Sequence, residues 1–303
     1  PIEMEVQKEL VLEDPQDIDD YGIDKFNESC RSQVQTNTEN WEKITRKIGR
    51  WVDFENDYKT MDVGFMESVW WVFKELYDKG LIYKDYKVLP YSWAAATPLS
   101  NFEANMDYRD VEDPSIFFQL EARNDFNDIK KGDFFLVWTT TPWCIPANLA
   151  IAVGRDINYS RVKIDSQYYW IATERLHELD NYDYSVQGSC DGENMIGGEY
   201  IPAYSEFEKE NIGKAFKLIH SDDTNTSSGS GLVSQAPSYG ESDFYCLKNA
   251  GITVIVDPVT LAGKFDQSVA GLEDLNVKDA DNVIIKQLDL SLIHISEPTR
   301  QKP

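Results

Sequence analysis

The sequence is poor in the residues on which metal, redox and histidine-based chemistry depends. Its 303 residues include only three histidines and four cysteines, and no two cysteines form a C-x-x-C pair. Scattered cysteines argue against a zinc ribbon, a redox dithiol and a disulfide framework. The scarcity of histidine weakens any mechanism in which histidine binds a metal or activates a nucleophile. We therefore expect no metal site.

Long apolar runs and basic residues are also scarce. No stretch approaches the roughly 20 consecutive apolar residues that a membrane helix needs, so we expect a soluble protein with no membrane partner. Only 29 Lys and Arg stand against 53 Asp and Glu, which gives a net charge of −24. An acidic surface repels phosphate backbones, so composition alone disfavours nucleic-acid binding.

The length and the apolar content nevertheless indicate a folded protein. A composition of 42% hydrophobic and 13% aromatic residues argues against disorder. At roughly 150 residues per domain the length suggests two domains. The chain begins at Pro1 rather than Met and carries no signal peptide, so we expect a fragment or a processed product.

Helical patterns dominate the first part of the chain. Between Gly22 and Gly49 apolar residues recur at spacings of three and four. A stronger helix is predicted from Asp62, a good N-cap, to Gly80, which suits the position after a helix end. We interpret the apolar stripe of this helix as core packing; its members are Phe65, Met66, Val69, Trp70, Phe73, Leu76 and Tyr77.

Short strands dominate the remainder of the chain. Many strands with irregular connections predict a β-barrel or open sheet with peripheral helices, one over 174–179 and one over 241–249. The predicted strands are 81–83, 88–92, 100–108, 116–120, 134–139, 150–153, 159–164, 168–172, 215–219, 232–234 and 253–256.

One chemically distinctive segment is Thr139–Asn148, TTTPWCIPAN, which follows an apolar strand. Three consecutive hydroxyls leave the sheet here, and Pro142 and Pro146 prevent the strand from continuing. Hydroxyl and backbone N–H groups together suit a ribose, a carbonyl oxygen or an attacking water. The alternative is an ordinary threonine-rich strand end.

A second distinctive segment is Gly229–Asp243, GSGLVSQAPSYGESD. Its glycines permit close backbone approach, and Gly240 precedes acidic residues that open a helix. Asp243 either stabilises that helix start or binds the ammonium group of a ligand in a cleft. Neither glycine-rich nucleotide-binding motif occurs in the required context.

Together these segments resemble two motifs of the isoleucyl-tRNA synthetase family. The Thr139–Asn148 segment is similar to the threonine-rich motif of its editing (CP1) domain, and Gly229–Asp243 to the second motif. WVDFENDYK at 51–59, FMESVWWVFKELYDKG at 65–80 and TPLSNFEANMDYRDVED at 97–113 resemble the cytosolic eukaryotic type. The resemblance runs from Pro1 to about residue 288.

This resemblance implies an α/β fold in two parts. Residues 1–113 would be a helical and strand portion of a split class I Rossmann catalytic domain, and 114–288 a mainly β, barrel-like editing domain with short helices. We leave 289–303 as an unassigned tail, which does not continue the preceding pattern. Neither the HIGH-type nor the KMSKS-type signature is present, so the ATP and Mg of the parent isoleucine–tRNA ligase are not expected to act here.

The resemblance also implies a reaction. Valine lacks one methylene of isoleucine, and a binding pocket gains only about 1–3 kcal/mol of discrimination from that group, a range known for isoleucine–tRNA ligases themselves. The family therefore removes mischarged valine by hydrolysing valyl-tRNA at a second site. Asp243 would bind the valine ammonium group, and Thr140 and Thr141 would contact the terminal adenosine or the hydrolytic water. The predicted substrate-binding residues are Thr139, Trp143, Asn148 and Ser234. No cofactor is implied for this step.

The implied partners are the acceptor end of tRNA(Ile) carrying valine and the remaining catalytic and anticodon-binding domains, in the cytoplasm. Two residues depart from the family pattern: Ser234 replaces histidine, and Cys144 replaces Thr or Ser. Serine cannot carry charge near neutral pH, whereas histidine can. The alternative is therefore an editing-deficient, non-catalytic module that binds the tRNA 3′ end or serves packing.

Overall fold

The computed structural model describes residues 2–12, 15–36, 38–106, 111–211, 213–288 and 296–301. The chain divides into two compact units, Pro1–Tyr86 and Lys87–Pro303. The predicted division at residue 113 concerns domain identity and stays a prediction. Residues after 86 join the second unit through specific contacts: the Tyr91 hydroxyl donates to the Leu261 carbonyl oxygen at 3.0 Å.

The described part of the first unit is helical. Val6 and Phe26 are buried in this unit. Gly22 links the second and third helices at φ 104°, a left-handed conformation that favours glycine. The helices are α1 (Ile2–Leu10), α2 (Pro15–Tyr21), α3 (Ile23–Thr36), α4 (Thr38–Lys47) and α5 (Val63–Asp78).

The predicted helix between Asp62 and Gly80 is confirmed as α5, but its predicted core packing is wrong for this chain. Asp62 occupies the N-cap position without a side-chain capping bond, and Gly80 follows the helix at φ 67°. No residue of α5 is buried, and Trp70 is 68% exposed. The apolar stripe therefore lies on the surface.

The second unit is built on a mixed sheet that curls into a half-barrel. The strands of the second unit are β1 (Tyr91–Ser92), β2 (Thr97–Pro98), β3 (Val111–Glu121), β4 (Phe134–Thr139), β5 (Ala150–Val153), β6 (Asn158–Ile164), β7 (Gln167–Ala172), β8 (Tyr184–Asp191), β9 (Lys217–His220), β10 (Leu232–Gln235) and β11 (Ser296–Gln301). Its helices are α6 (Asn101–Ala104), α7 (Glu208–Asn211), α8 (Glu241–Asn249) and α9 (Val277–Leu288).

Strand order in the main sheet runs β8-β6-β7-β4-β10-β5-β9, while β3 pairs antiparallel with β4, and β1 and β2 form a separate hairpin. Successive residues of a strand point to opposite faces. In β4, Phe135 and Val137 join one buried cluster and Leu136 joins another, so the sheet is covered on both faces. The predicted α/β chain with a mainly β second part and short helices is confirmed.

Several local predictions are wrong. Residues 101–104 form α6 rather than a strand, because Ser100 and Glu103 make a reciprocal capping box; residues 107–108 of that predicted strand lie outside the described part. Neither 81–83 nor 253–256 pairs as a strand. The predicted helix at 174–179 is a 3₁₀ segment, Thr173–Leu179. The sequence patterns did not predict β8 or α9.

The tail falls partly outside the described residues, namely at 289–295 and 302–303. The backbone of β11 pairs antiparallel with β3. The assignment of residues 289–303 as a separate tail stays a prediction.

Candidate functional site

The two distinctive segments meet because β4 and β10 are neighbours. The strands run parallel, with Trp138 opposite Val233. Their carboxyl ends therefore lie at the same edge of the sheet. The threonine-rich segment leaves β4 at this edge, and the segment that leads to α8 leaves β10 beside it. Residues almost a hundred positions apart in sequence thus share one site.

Thr139 and Thr141 form a compact hydroxyl cluster at the end of β4. The Thr141 amide donates to the Thr139 Oγ1 at 3.2 Å, and the two Oγ1 atoms lie 3.4 Å apart. Thr139 is buried, whereas Thr140 and Thr141 are half-buried. A 3₁₀ segment, Pro142–Ala147, follows directly and fixes where the hydroxyl cluster ends.

Asn148 and Ser234 are brought into direct contact. The Asn148 Nδ2 donates to the Ser234 Oγ at 2.9 Å and also to the Ala150 carbonyl oxygen. The buried Tyr200 hydroxyl donates to the Asn148 Oδ1 at 2.5 Å. Both ends of the Asn148 amide are thus engaged internally. This arrangement suits Asn148 to holding Ser234 in place.

Asp243 lies in the first turn of α8 and turns back toward the end of β10. Its Oδ2 accepts a hydrogen bond from the Ala236 amide at 2.8 Å. A Cβ atom at Gly240 would lie 2.9 Å from the Asp243 Cγ, so glycine makes room for the carboxylate. Burial raises the pKa of Asp243 to about 6, and the Ala236 hydrogen bond opposes that rise.

An aromatic pair forms one wall of the site. The rings of Trp143 and Tyr239 lie 4.7 Å apart between centroids, inclined at 56°. The Tyr239 hydroxyl donates to the Asp257 Oδ1 at 3.0 Å, which helps to hold the Tyr239 ring in place. Because Trp143 belongs to the first segment and Tyr239 to the second, the aromatic contact ties the two segments together.

Cys144 does not have the character of a nucleophile. The side chain is buried within the 3₁₀ segment, and this burial raises the pKa of its thiol far above the ordinary range. The nearby Asp243 and Asp281 carboxylates add to the rise. A thiol must ionise to attack, so Cys144 stays protonated and inert near neutral pH.

The glycines of the second segment are needed for close packing. Gly231 has φ 75°, and a Cβ there would lie 2.6 Å from the Ala172 Cβ. The Tyr159 hydroxyl donates to the Gly231 carbonyl oxygen at 2.7 Å, and Arg175 Nε donates to that of Gly229 at the same distance. The segment is therefore held firmly as it enters β10.

Asp281 is a site residue that the sequence patterns did not reveal. It lies on α9 with 4% of its surface exposed, and its Oδ1 accepts a hydrogen bond from the Trp143 amide at 2.8 Å. The available signal was a charged residue among the buried residues Val277, Ala280 and Ile284 of an otherwise amphipathic helix.

Other features bear on the kind of site. Within the described residues, no group of three or more His, Cys, Asp and Glu could hold a metal ion, and no helix is long and apolar enough to cross a membrane. A cavity of about 940 Å³ lies beside α8 and β9, lined in part by Lys217, His220, Tyr245 and Cys246. It includes none of the predicted site residues.

A family model and several relatives match the chain. The model, tRNA synthetases class I (I, L, M and V), matches residues 1–247, and the chain belongs to this family. Isoleucine–tRNA ligases are similar to it. That of Protochlamydia amoebophila is 42% identical over 95% of this chain and 28% of the relative. That of Chlamydia pneumoniae is 40% identical over 95% of this chain and 27% of the relative. The chain thus spans about 28% of the length of such relatives.

The predicted resemblance to isoleucyl-tRNA synthetases is confirmed by these relatives. Among solved structures, the crystal structure of GlLeuRS-CP1 covers 62% of this chain and 99% of its own at 12% identity and a TM-score of 0.49. The crystal structure of the P. knowlesi cytosolic leucyl-tRNA synthetase editing domain covers 63% of this chain and 98% of its own, at 8% identity and a TM-score of 0.44.

Proposed function

We propose that the chain is the editing part of an isoleucine–tRNA ligase and hydrolyses valyl-tRNA(Ile). The observation that carries the proposal is the convergence of Thr140, Thr141 and Asp243 at one edge of the half-barrel, although β4 and α8 lie far apart in sequence. Hydroxyl and amide groups there supply polar contacts for an ester, and the aromatic pair supplies an apolar wall for a small side chain.

Asp243 has the electrostatic character that capture of an ammonium group requires. With a pKa of about 6 it is mainly ionised near pH 7.5, although partial burial has removed part of its hydration. A desolvated carboxylate attracts a cation more strongly than a solvated one. The α-ammonium of a mischarged valine would therefore recover part of the free energy that burying Asp243 costs.

Hydrolysis at this site uses a positioned water rather than an enzyme nucleophile. The Thr140 and Thr141 hydroxyls orient the water molecule and the terminal ribose, and the Thr139 Oγ1, which lies 3.4 Å from the Thr141 Oγ1, supports Thr141. Backbone amides and hydroxyls stabilise the developing oxyanion. The step needs no metal or cofactor, and ATP and Mg serve aminoacylation in the parent ligase.

The proposed setting follows from the same family. The partners are the acceptor end of tRNA(Ile) carrying valine and the remaining catalytic and anticodon-binding domains, and the location is the cytoplasm. The net charge of −24 leads us to place most of the tRNA affinity outside this chain.

A second candidate function is a non-catalytic module that binds the tRNA 3′ end or serves packing. The observation that favours it is Ser234, which replaces the histidine of the family motif and is hydrogen-bonded to the internally engaged Asn148. Serine offers no charge or proton transfer near pH 7.

A deacylation assay with valyl-tRNA(Ile) tests the two candidates. We expect the chain to release valine and Asp243→Ala to lower the rate at least tenfold, because the variant loses the ammonium partner. Glu241→Ala, an exposed acid in the same turn of α8, is the matched control and should keep the rate within about twofold. An inactive chain that Ser234→His activates would overturn editing in favour of the non-catalytic module.

A further inference from the structure

The start of the 3₁₀ segment Pro142–Ala147 is held by a residue from another helix. Helix starts leave N–H groups without intrahelical partners, and a capping side chain at the N-cap usually accepts from one of them. Thr141 occupies that position but makes no side-chain capping bond. Pro142 has no N–H, and the Cys144 amide donates to the Thr141 carbonyl oxygen. The Trp143 amide is left for a partner from elsewhere.

Asp281 is that partner. Its carboxylate reaches across from α9 and accepts from the Trp143 amide at 2.8 Å, a separation of 138 positions in sequence. An ionised acceptor makes a stronger hydrogen bond to a helix-start amide than a neutral one does. A carboxylate that is 4% exposed is costly to bury. The hydrogen bond from the Trp143 amide offsets part of this cost.

The charges around Asp281 favour its role as an anchor. Burial raises the pKa of Asp281 to about 6, and Asp113 adds to the rise, whereas the Trp143 hydrogen bond and Lys278, one turn earlier on α9, oppose it. Lys278 in turn donates to the Asp113 Oδ1 at 2.7 Å. The acid is thus ionised near pH 7.5 and linked through Lys278 to β3, the strand that flanks β4.

One carboxylate therefore holds each of the two motif segments. Asp243 accepts from the Ala236 amide in the second segment, and Asp281 accepts from the Trp143 amide in the first. Trp143 also contacts Tyr239, so a shift of the 3₁₀ start would move both the aromatic wall and the preceding threonines.

We propose that Asp281 is a positioning residue for editing: by capping the 3₁₀ segment at Trp143, it sets the placement of Thr140, Thr141 and the Trp143 ring. The proposal rests on the editing function for its catalytic consequence, but the capping contact can be tested without substrate. Asp281 acts through Trp143 and does not itself touch the substrate.

Amide hydrogen exchange, resolved at Trp143 and Ala236 by NMR on the full chain, tests the contact directly. Asp281→Ala should speed exchange at Trp143 at least tenfold and leave Ala236, which is held by Asp243, within about twofold. Asp281→Asn keeps an acceptor oxygen and should retain most of the protection at Trp143. Asp279→Ala, an exposed acid on the same helix, is the matched control and should change neither amide.

Deacylation kinetics test the consequence. Asp281→Ala should lower kcat about tenfold with KM changed less than threefold, because placement of the reacting groups is lost while the ammonium partner remains. Asp281→Asn should restore kcat to within about threefold of the unaltered chain. Unchanged exchange at Trp143 in Asp281→Ala would overturn the proposal.

The two proposals fail in distinguishable ways. A chain that does not hydrolyse valyl-tRNA(Ile) overturns the editing function, and the exchange at Trp143 still decides the capping role. If Asp281→Ala exposes Trp143 and Ala236 together, the variant is unfolded, and Asp281→Asn then decides the matter. Protection at Trp143 and a kcat that both stay close to those of the unaltered chain support the cap, and unchanged protection with a tenfold loss of kcat overturns it.

Discussion

Replacement of Asp243 by asparagine should stabilise the fold while it removes the proposed activity. Burial raises the pKa of Asp243 from its ordinary value of 3.8 to about 6. A carboxyl group with a raised folded-state pKa binds its proton more tightly in the folded protein. Its ionised form therefore costs folding free energy at pH values above about 6, and this cost disappears as the pH falls through 6 toward 3.8.

The environment of Asp243 sets the size of this free-energy cost. A rise from 3.8 to about 6 corresponds to about 3 kcal/mol, at about 1.4 kcal/mol for each pH unit. Asparagine can still accept the Ala236 hydrogen bond, but its own amide must be buried. We therefore expect Asp243→Asn to raise the free energy of unfolding by about 1–2 kcal/mol at pH 8, which implies about 1–2 kcal/mol for burying the amide. At pH 4 the penalty of the ionised carboxylate falls to about 0.5 kcal/mol while the amide cost remains, so the variant should be about 1 kcal/mol less stable than the unaltered chain.

Urea unfolding at pH 8 and pH 4, monitored by circular dichroism, measures this difference. Glu241→Gln, which changes an exposed acid in the same turn of α8, should shift the free energy by no more than about 0.5 kcal/mol at either pH. An Asp243→Asn variant that is less stable than the unaltered chain at pH 8 would refute the reasoning. So would a difference that does not change with pH.

Two further predictions follow from the packing. Gly231→Ala should destabilise the second unit by about 2–4 kcal/mol in thermal or urea unfolding, because φ is 75° and the new Cβ would lie 2.6 Å from the Ala172 Cβ. Gly213→Ala, at φ 78° with open space around it, should cost only about 1 kcal/mol, and equal costs for the two variants would contradict the close-packing argument. The exposed stripe of α5 should make the chain associate at high concentration in sedimentation velocity, and Trp70→Glu, which places a charge on a side chain that is 68% exposed, should reduce the association. A sharp monomer for the unaltered chain would count against that expectation.

The sequence predicted much of the strand framework because local patterns decide it. The predicted strands 134–139 and 150–153 match β4 and β5 residue for residue, since both are apolar runs bounded by turn residues. The end of α5 was predictable from Gly80, whose left-handed φ of 67° favours glycine. These features depend on neighbours in sequence.

Two other local predictions failed, each for a different reason. Residues 101–104 were predicted to form a strand, but Ser100 and Glu103 form a capping box that stabilises the start of α6. The apolar stripe of α5 was interpreted as core packing, but no residue of α5 is buried. Such a stripe shows that apolar residues share one face of a helix, and it does not show that another element covers that face.

The candidate site was predicted in its composition but not in its arrangement. The two motifs identified the residues, whereas their meeting depends on the parallel pairing of β4 and β10. Asp281 was missed because its partner is a backbone amide 138 positions away. The roles of Thr139, Thr140, Thr141, Trp143, Asn148, Ser234 and Asp243 stay predictions until the site is tested.

Whether this chain holds an editing site is decided by comparing its deacylation of valyl-tRNA(Ile) with that of isoleucyl-tRNA(Ile). An editing site that admits valine and excludes isoleucine by size should hydrolyse the valyl ester at least about tenfold faster, and Asp243→Ala should abolish that preference by removing hydrolysis of both. Equal rates for the two esters, or a valyl-specific rate that survives Asp243→Ala, would contradict the account.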